Sequence, residues 1–205
     1  MKKQLVEFIG TFLFVLSIGL IVHSGTTLAP LAIWTALAVL VFASGHLSGG
    51  HLNPAVTVWL IVRGKISVSD AVSYIVAQLA GAILAWLVVS FLIGWAMTPW
   101  AISDNSVLVI LAEALFTFLL VYVVSSTATS EWTKWNSFYG WAIGMAVAVG
   151  AFSVGSISGW AFNPAVAIGG IFDGTFAASQ VWMHIVWDLL GAVVAALAYN
   201  YVDSK

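Results

Sequence analysis

Apolar residues run along this chain in long blocks, and polar residues interrupt them only in short, regularly placed gaps. Six blocks approach the roughly 20 residues that a helix needs to cross a hydrocarbon core. They lie at about 4–23, 29–46, 67–94, 107–128, 138–156 and 176–201. Two further blocks, at about 54–62 and 164–172, are too short to cross, and both begin just after an asparagine. The pattern predicts an all-α integral membrane fold, six transmembrane helices plus two re-entrant half-helices, with short connections and a single domain over 1–205.

Composition strengthens that reading. Hydrophobic residues make up 62% of the chain and charged residues 7%, against about 25% charged in soluble domains. The lipid bilayer is therefore the solvent. Cysteine is absent, which excludes disulfides, thiolate metal ligands and cysteine nucleophiles. A net charge of -2 gives no signal for a nucleic-acid partner. The opening "MKK" and the apolar run after it resemble a signal peptide, but the run contains Glu7 and passes Leu20 without a small-residue cleavage site. A retained first helix is expected.

Charge placement fixes an orientation. If Lys2 and Lys3 are cytoplasmic, six alternating spans put Arg63, Lys65, Lys134 and Lys205 on the same side, so every Lys and Arg falls inside. That obeys the positive-inside rule and puts both termini in the cytoplasm, in the cell (inner) membrane. Trp95 and Trp100 on one side, and Trp132 and Trp135 on the other, fall near the expected lipid boundaries and suit interfacial anchors.

The chain also repeats. A shift of 110 positions aligns Asn53-Pro54-Ala55-Val56 with Asn163-Pro164-Ala165-Val166, Gly45 with Gly155, Ser48 with Ser158, and "IVAQLAGA" (75–82) with "IVWDLLGA" (185–192). A slightly different shift aligns "EFIGTFLFV" (7–15) with "EALFTFLLV" (113–121). The halves, about 1–100 and 101–205, each hold three full spans, so the second copy enters from the opposite face. Inverted repeats with interrupted segments at equivalent places point to a transport path at the bilayer midplane.

Asparagine caps a helix well, and proline suits its first turn. One such copy is an ordinary helix start; two, each opening an under-length apolar helix, suggest more. Backbone outside a helix must be buried in protein or line a water-filled cavity. Residues 47–52 and 157–162 are such backbone, with carbonyls of Gly49, Gly50, His51, Gly159, Trp160 and Ala161 as a candidate ladder of acceptors. Asn53 and Asn163 would present amide donors at its middle. Two helix N-termini add roughly half a positive charge each, which repels cations and suits a neutral molecule with donors and acceptors.

The segments "EFIGTFLFV", "GHLSGGHLNPAVTV", "YIVAQLAGA", "EALFTFLLV" and "SGWAFNPAV", in that order, resemble the aquaporin and glycerol-facilitator family, the major intrinsic proteins. The resemblance covers essentially the whole chain. It implies a right-handed bundle, a homotetramer with one pore per subunit, and passive conduction. It also implies that Glu7 and Glu113 are buried carboxylates that hold the two re-entrant loops.

The chain departs from the family at the outer constriction. An arginine usually follows the second Asn-Pro-Ala, and here that position is Val166. The other ring positions are Ile33, Ala151 and Trp160. Ala151 with an aromatic at 160 is similar to a glycerol-type ring, whereas Ile33 and Val166 make it apolar and free of fixed charge. Selectivity follows diameter, lining donors and electrostatic barriers, so a less polar filter is expected, with proton exclusion resting on the central asparagines. Trp160 packed sideways against protein is the plainer alternative.

Asp188 stands where the family usually has proline, with Gln78 opposite it in the repeat and His184 one turn earlier. A polar helix–helix contact is expected there. His46 and His51 belong to the first loop and His23 to an outer mouth, and four histidines without clustered carboxylates do not form a metal site.

The expected function is a passive channel, not an enzyme, for water and small neutral solutes, with no cofactor. A solute-dominant facilitator for glycerol, ammonia, urea or metalloid hydroxides is the alternative. A coupled secondary transporter would need an ion site, and an intramembrane enzyme a nucleophile–base or metal pair; neither is evident. A structural junction protein of the same fold would show no permeability. Short termini and a short 129–137 loop favour an ungated pore.

Overall fold

The structure, a computed structural model, describes residues 1–94, 102–172 and 175–203. Its elements are α1 (Lys2–His23), α2 (Ala29–Ser48), the short α3 (Pro54–Val62), α4 (Val68–Ile93), α5 (Ser106–Val124), α6 (Tyr139–Ser158), the short α7 (Pro164–Gly169) and α8 (Val181–Val202). Among the described residues, six helices are long and apolar enough to span, α5 together with the π-helical turn Ser125–Thr129 that extends it. Trp95, Trp100 and Lys205 lie outside the described residues. Trp132 and Trp135 are almost fully exposed, as boundary anchors would be.

Local chemistry explains where the helices begin and end. Asn53, Ser67, Asn105 and Asn163 each accept a backbone N–H of the first turn through a side-chain oxygen, capping α3, α4, α5 and α7. α2 and α6 end at Gly49 and Gly159, both in the left-handed conformation that glycine adopts without a Cβ clash. The π-turn has a local cause: Ser125, Thr127 and Thr129 each donate a side-chain hydroxyl to the carbonyl four residues earlier. Two expected boundaries move. α7 stops at Gly169 instead of continuing to 172, and α8 begins at Val181 instead of 176. Gly169 and Gly170 end the half-helix, and the Phe176 N–H bonds back to the Gly170 carbonyl.

The packing is reciprocal between the halves. α1 lies along α4 and α5 along α8, while α3 packs on α8 and α7 on α4, so each half-helix is held by the last span of the other half. Gly81 lets the α4 backbone reach the Phe8 carbonyl of α1, and Gly191 lets α8 reach the Ala114 carbonyl of α5. Small residues at such crossings allow the close approach that drives helix association in lipid. Phe91, Leu115, Phe152 and Val194 are exposed outside the bundle, whereas Glu7, Gln78, Glu113 and Asp188 are fully buried within it. Apolar outside and carboxylate inside is the reverse of a soluble core, and it is what lipid demands.

Candidate functional site

The N-termini of α3 and α7 meet inside the bundle. Asn53 Oδ1 accepts the Ala55 N–H at 2.8 Å, and Asn163 Oδ1 accepts the Ala165 N–H at 3.0 Å. With that oxygen spent on its own helix, each amide turns its nitrogen to the opposite loop. Asn53 Nδ2 donates to the Phe162 carbonyl at 2.8 Å, and Asn163 Nδ2 to the Leu52 carbonyl at 3.0 Å. The two loops are thereby clasped to each other.

Leu52 and Phe162 adopt φ of 49° and 44°, in the left-handed region that branched and bulky residues rarely enter. Buried carboxylates hold them there. Glu7 accepts the Leu52 N–H at 2.8 Å, the His51 N–H at 3.1 Å, the Ser48 hydroxyl at 2.6 Å and the Gln78 amide at 2.9 Å. Glu113 accepts the Phe162 N–H at 2.8 Å. A carboxylate with four donors offsets much of the desolvation that burial imposes.

A cavity of about 680 Å³ passes this clasp. It is lined by Lys3 at the start of α1, Lys65 after α3 and Lys134 after α5, by Asn53 and Asn163 at the clasp, and by Ile33, Trp160 and Val166. Phe14, Ile18, Leu37, Leu120, Ile143 and Val147 complete much of an apolar wall. Of the expected ladder, Gly49, Gly50, His51, Trp160 and Ala161 line the cavity. Gly159 and Ala151 are buried beside it without joining the wall. Pro54, Ala55, Pro164 and Ala165 are buried as the first turns of their helices.

Trp160 sits at φ 52°, where the repeat has Gly50 at φ 61°. A left-handed tryptophan costs about 1–2 kcal/mol relative to an ordinary conformation. Its indole is half-buried against Gly155 and also lines the cavity, so packing and pore exposure are combined. The His51 ring lies tilted by 53° against Tyr74 with centroids 4.9 Å apart, and its Nδ1 lies 3.1 Å from the Thr57 hydroxyl.

Several supporting residues carried no motif signal. Tyr74 donates its hydroxyl to the Ser48 carbonyl at 2.8 Å, and His184 places Nε2 2.8 Å from the Ser158 carbonyl; the shift of 110 relates the two pairs. Trp86 packs against Gly169 and donates to the Val166 carbonyl at 3.4 Å, steadying α7. Asp188 accepts the Thr117 hydroxyl at 3.0 Å, the interhelical contact expected of it. Polar residues in the middle of spans were the available clue for Tyr74, Gln78 and His184; Trp86 had none.

A bundle that is apolar outside, buries carboxylates within and has a cavity passing two facing helix N-termini has the architecture of a membrane channel. The family model described as Major intrinsic protein matches residues 1–199, and the chain belongs to that family. It is 35% identical to Glycerol uptake facilitator protein-like 6 of Lactiplantibacillus plantarum, with all of both chains covered. It is 36% identical to Aquaporin TIP2-1 of Zea mays, covering 98% of this chain and 87% of that one. With Aquaporin-4 of Mus musculus it shares 33% identity over 98% of this chain and 67% of the relative. The solved aquaglyceroporin of Plasmodium falciparum has the same fold, with a TM-score of 0.85, 24% identity, and coverage of 98% and 96%. The protein is thus a multi-pass membrane channel and not an enzyme.

Proposed function

We propose that water and small uncharged solutes pass in single file along this cavity, with Asn53 and Asn163 as central donors and Ile33, Trp160 and Val166 as the outer ring, Ala151 being buried without joining it. The observation that carries the reading is the shared position of the two asparagines on the cavity wall, each with one amide hydrogen committed to the clasp. A primary amide has two such hydrogens. The second, on each asparagine, is the donor offered to a passing oxygen, and the carbonyls of the two loops are the acceptors on either side.

The positive ends of α3 and α7 act on the same point and oppose cations. A water held there by two donors turns its own hydrogens outward in both directions, which interrupts a proton-conducting file. Beyond it, Ile33 and Val166 give the ring no fixed charge. A solute with a carbon face then loses less on entering than it would beside an arginine. The glycerol uptake facilitator-like relative supports uncharged solutes as well as water.

The presence of Lys3, Lys65 and Lys134 on the cavity wall supports a cytoplasmic location for the mouth they line and for both termini, in the cell (inner) membrane. Family membership supports a homotetramer with one pore per chain. The reciprocal packing of α3 on α8 and α7 on α4 supports two inverted repeats, about 1–100 and 101–205. Stopped-flow light scattering on proteoliposomes tests the function. Water and glycerol fluxes above those of empty vesicles, unaffected by ion gradients, are expected; ion-coupled, saturable uptake would refute a passive pore.

A further inference from the structure

The two re-entrant loops are held by different chemistry. In the first half, Glu7 faces Gln78, whose Nε2 donates to Glu7 Oε2 at 2.9 Å. In the second half the equivalent positions are Glu113 and Asp188, so a carboxylate stands where the first half has an amide donor. Thr117, one turn after Glu113 on α5, bonds Asp188 of α8, which places Asp188 beside the Glu113 face of α5 as Gln78 of α4 lies beside Glu7 of α1. Glu113 Oε2 is taken by the Phe162 N–H and Asp188 Oδ1 by the Thr117 hydroxyl. The other two oxygens, Glu113 Oε1 and Asp188 Oδ2, are buried and have no hydrogen-bond donor.

Two ionised carboxylates cannot meet in an apolar interior without a cation or a proton between them. Among the described residues, neither carboxylate has a salt-bridge partner. α5 contributes Glu113 and Thr117, and the pore loop contributes the Phe162 N–H. His184, one turn before Asp188 on α8, places Nε2 against the Ser158 carbonyl of α6, and its Nδ1 is buried without a partner.

We propose that Glu113 and Asp188 share a single proton, which does in the second half what the Gln78 amide does in the first. The pair then carries one negative charge, as Glu7 does alone. Asp188 acts here as a positioning residue: the shared proton ties α8 to α5 and keeps Glu113 aimed at the Phe162 N–H. The consequence is an asymmetry along the pore. The loop carrying Trp160 and Asn163 depends on a proton that alkali can remove, while the loop carrying His51 and Asn53 does not.

Infrared spectroscopy of the purified detergent-solubilised protein tests this directly. A buried protonated-carboxyl band is expected at neutral pH in the wild type, shifting in D2O, and lost in Asp188→Asn and in Glu113→Gln. Either variant supplies the amide that the other carboxylate needs, so both keep a route to folding, checked by tryptophan fluorescence. A wild-type spectrum without that band at neutral pH would overturn the proposal, as would a band surviving in both variants. In proteoliposomes, water permeability of the wild type should fall at alkaline pH and the profile of Asp188→Asn should be flatter. Equal profiles would remove the functional consequence. The spectroscopic result stands whether or not the pore conducts, so it separates this idea from the transport reading.

Discussion

Asn163 donates its side-chain amide to the carbonyl of Leu52 at 3.0 Å, and Asn53 returns the bond to Phe162 at 2.8 Å. Each asparagine therefore caps its own half-helix with oxygen and fastens the other loop with nitrogen. Aspartate can do only the first of these. Asn163→Asp should keep the α7 cap, lose the bond to Leu52 and set a negative charge beside a carbonyl. Leaving that buried acceptor unpaired costs about 1–3 kcal/mol. A lower melting temperature in detergent is expected, together with proton leak in vesicles loaded with a pH-sensitive dye. An unchanged melt and leak would mean that the clasp contributes nothing.

Glu7 concentrates four donors from three elements. Glu7→Ala strands two backbone N–H groups, a hydroxyl and an amide, at about 1–3 kcal/mol for each donor that water does not reach. Loss of folded protein, or a melting temperature far below wild type, is expected on size-exclusion chromatography and thermal denaturation. Glu7→Gln keeps one acceptor oxygen and should fall between the two. Glu7→Ala melting like wild type would contradict the supporting role.

Trp160 separates strain from packing. Removing a buried tryptophan side chain usually costs about 3–5 kcal/mol, but here the backbone stands at φ 52°. Trp160→Gly relieves about 1–2 kcal/mol of left-handed strain that Trp160→Ala retains. The glycine variant should be the more stable of the two in thermal denaturation, and both should admit larger polyols than wild type. An alanine variant as stable as the glycine one would show that the strain is absent.

Helix crossing gives a fourth test. A side chain at Gly81 would meet the Phe8 carbonyl of α1, which cannot move without bending the helix. Gly81→Leu should force α1 from α4 and abolish recovery of folded protein, whereas Val72→Leu, exposed on the same helix, should not. Equal yields would show that the crossing tolerates a wider spacing.

The sequence pattern made most of this architecture legible. Spans are long apolar runs, and their caps are short polar words, so length and Asn-Pro-Ala together set six crossings and two half-helices. The carboxylates were legible too, because Glu113 in the middle of an apolar run needs a partner. The crossed bonds were not, since they join residues 109 and 111 positions apart through backbone carbonyls, which every residue carries. The fit of Trp86 to Gly169 was likewise hidden, because a tryptophan in a span reads equally as a lipid-facing residue. Ser125 to Thr129 did carry a signal, a run of hydroxyls able to bond back along the helix, but such residues are common enough in spans to give no π-turn by themselves.

The central claim is that an uncharged outer ring lets small uncharged solutes through alongside water. Glycerol entry and water efflux measured in parallel, on proteoliposomes of wild type and Val166→Arg, test it most directly. Ile33, Trp160 and Val166 all line the cavity, and an arginine at 166 would both narrow the proposed ring and add a charge. Expected are glycerol entry well above empty vesicles in the wild type, and a drop of about tenfold or more in the variant, the change that about 1.4 kcal/mol of added barrier produces, with water efflux reduced less. Wild-type vesicles that pass water but exclude glycerol, or a variant that admits glycerol as fast as wild type, would contradict the claim.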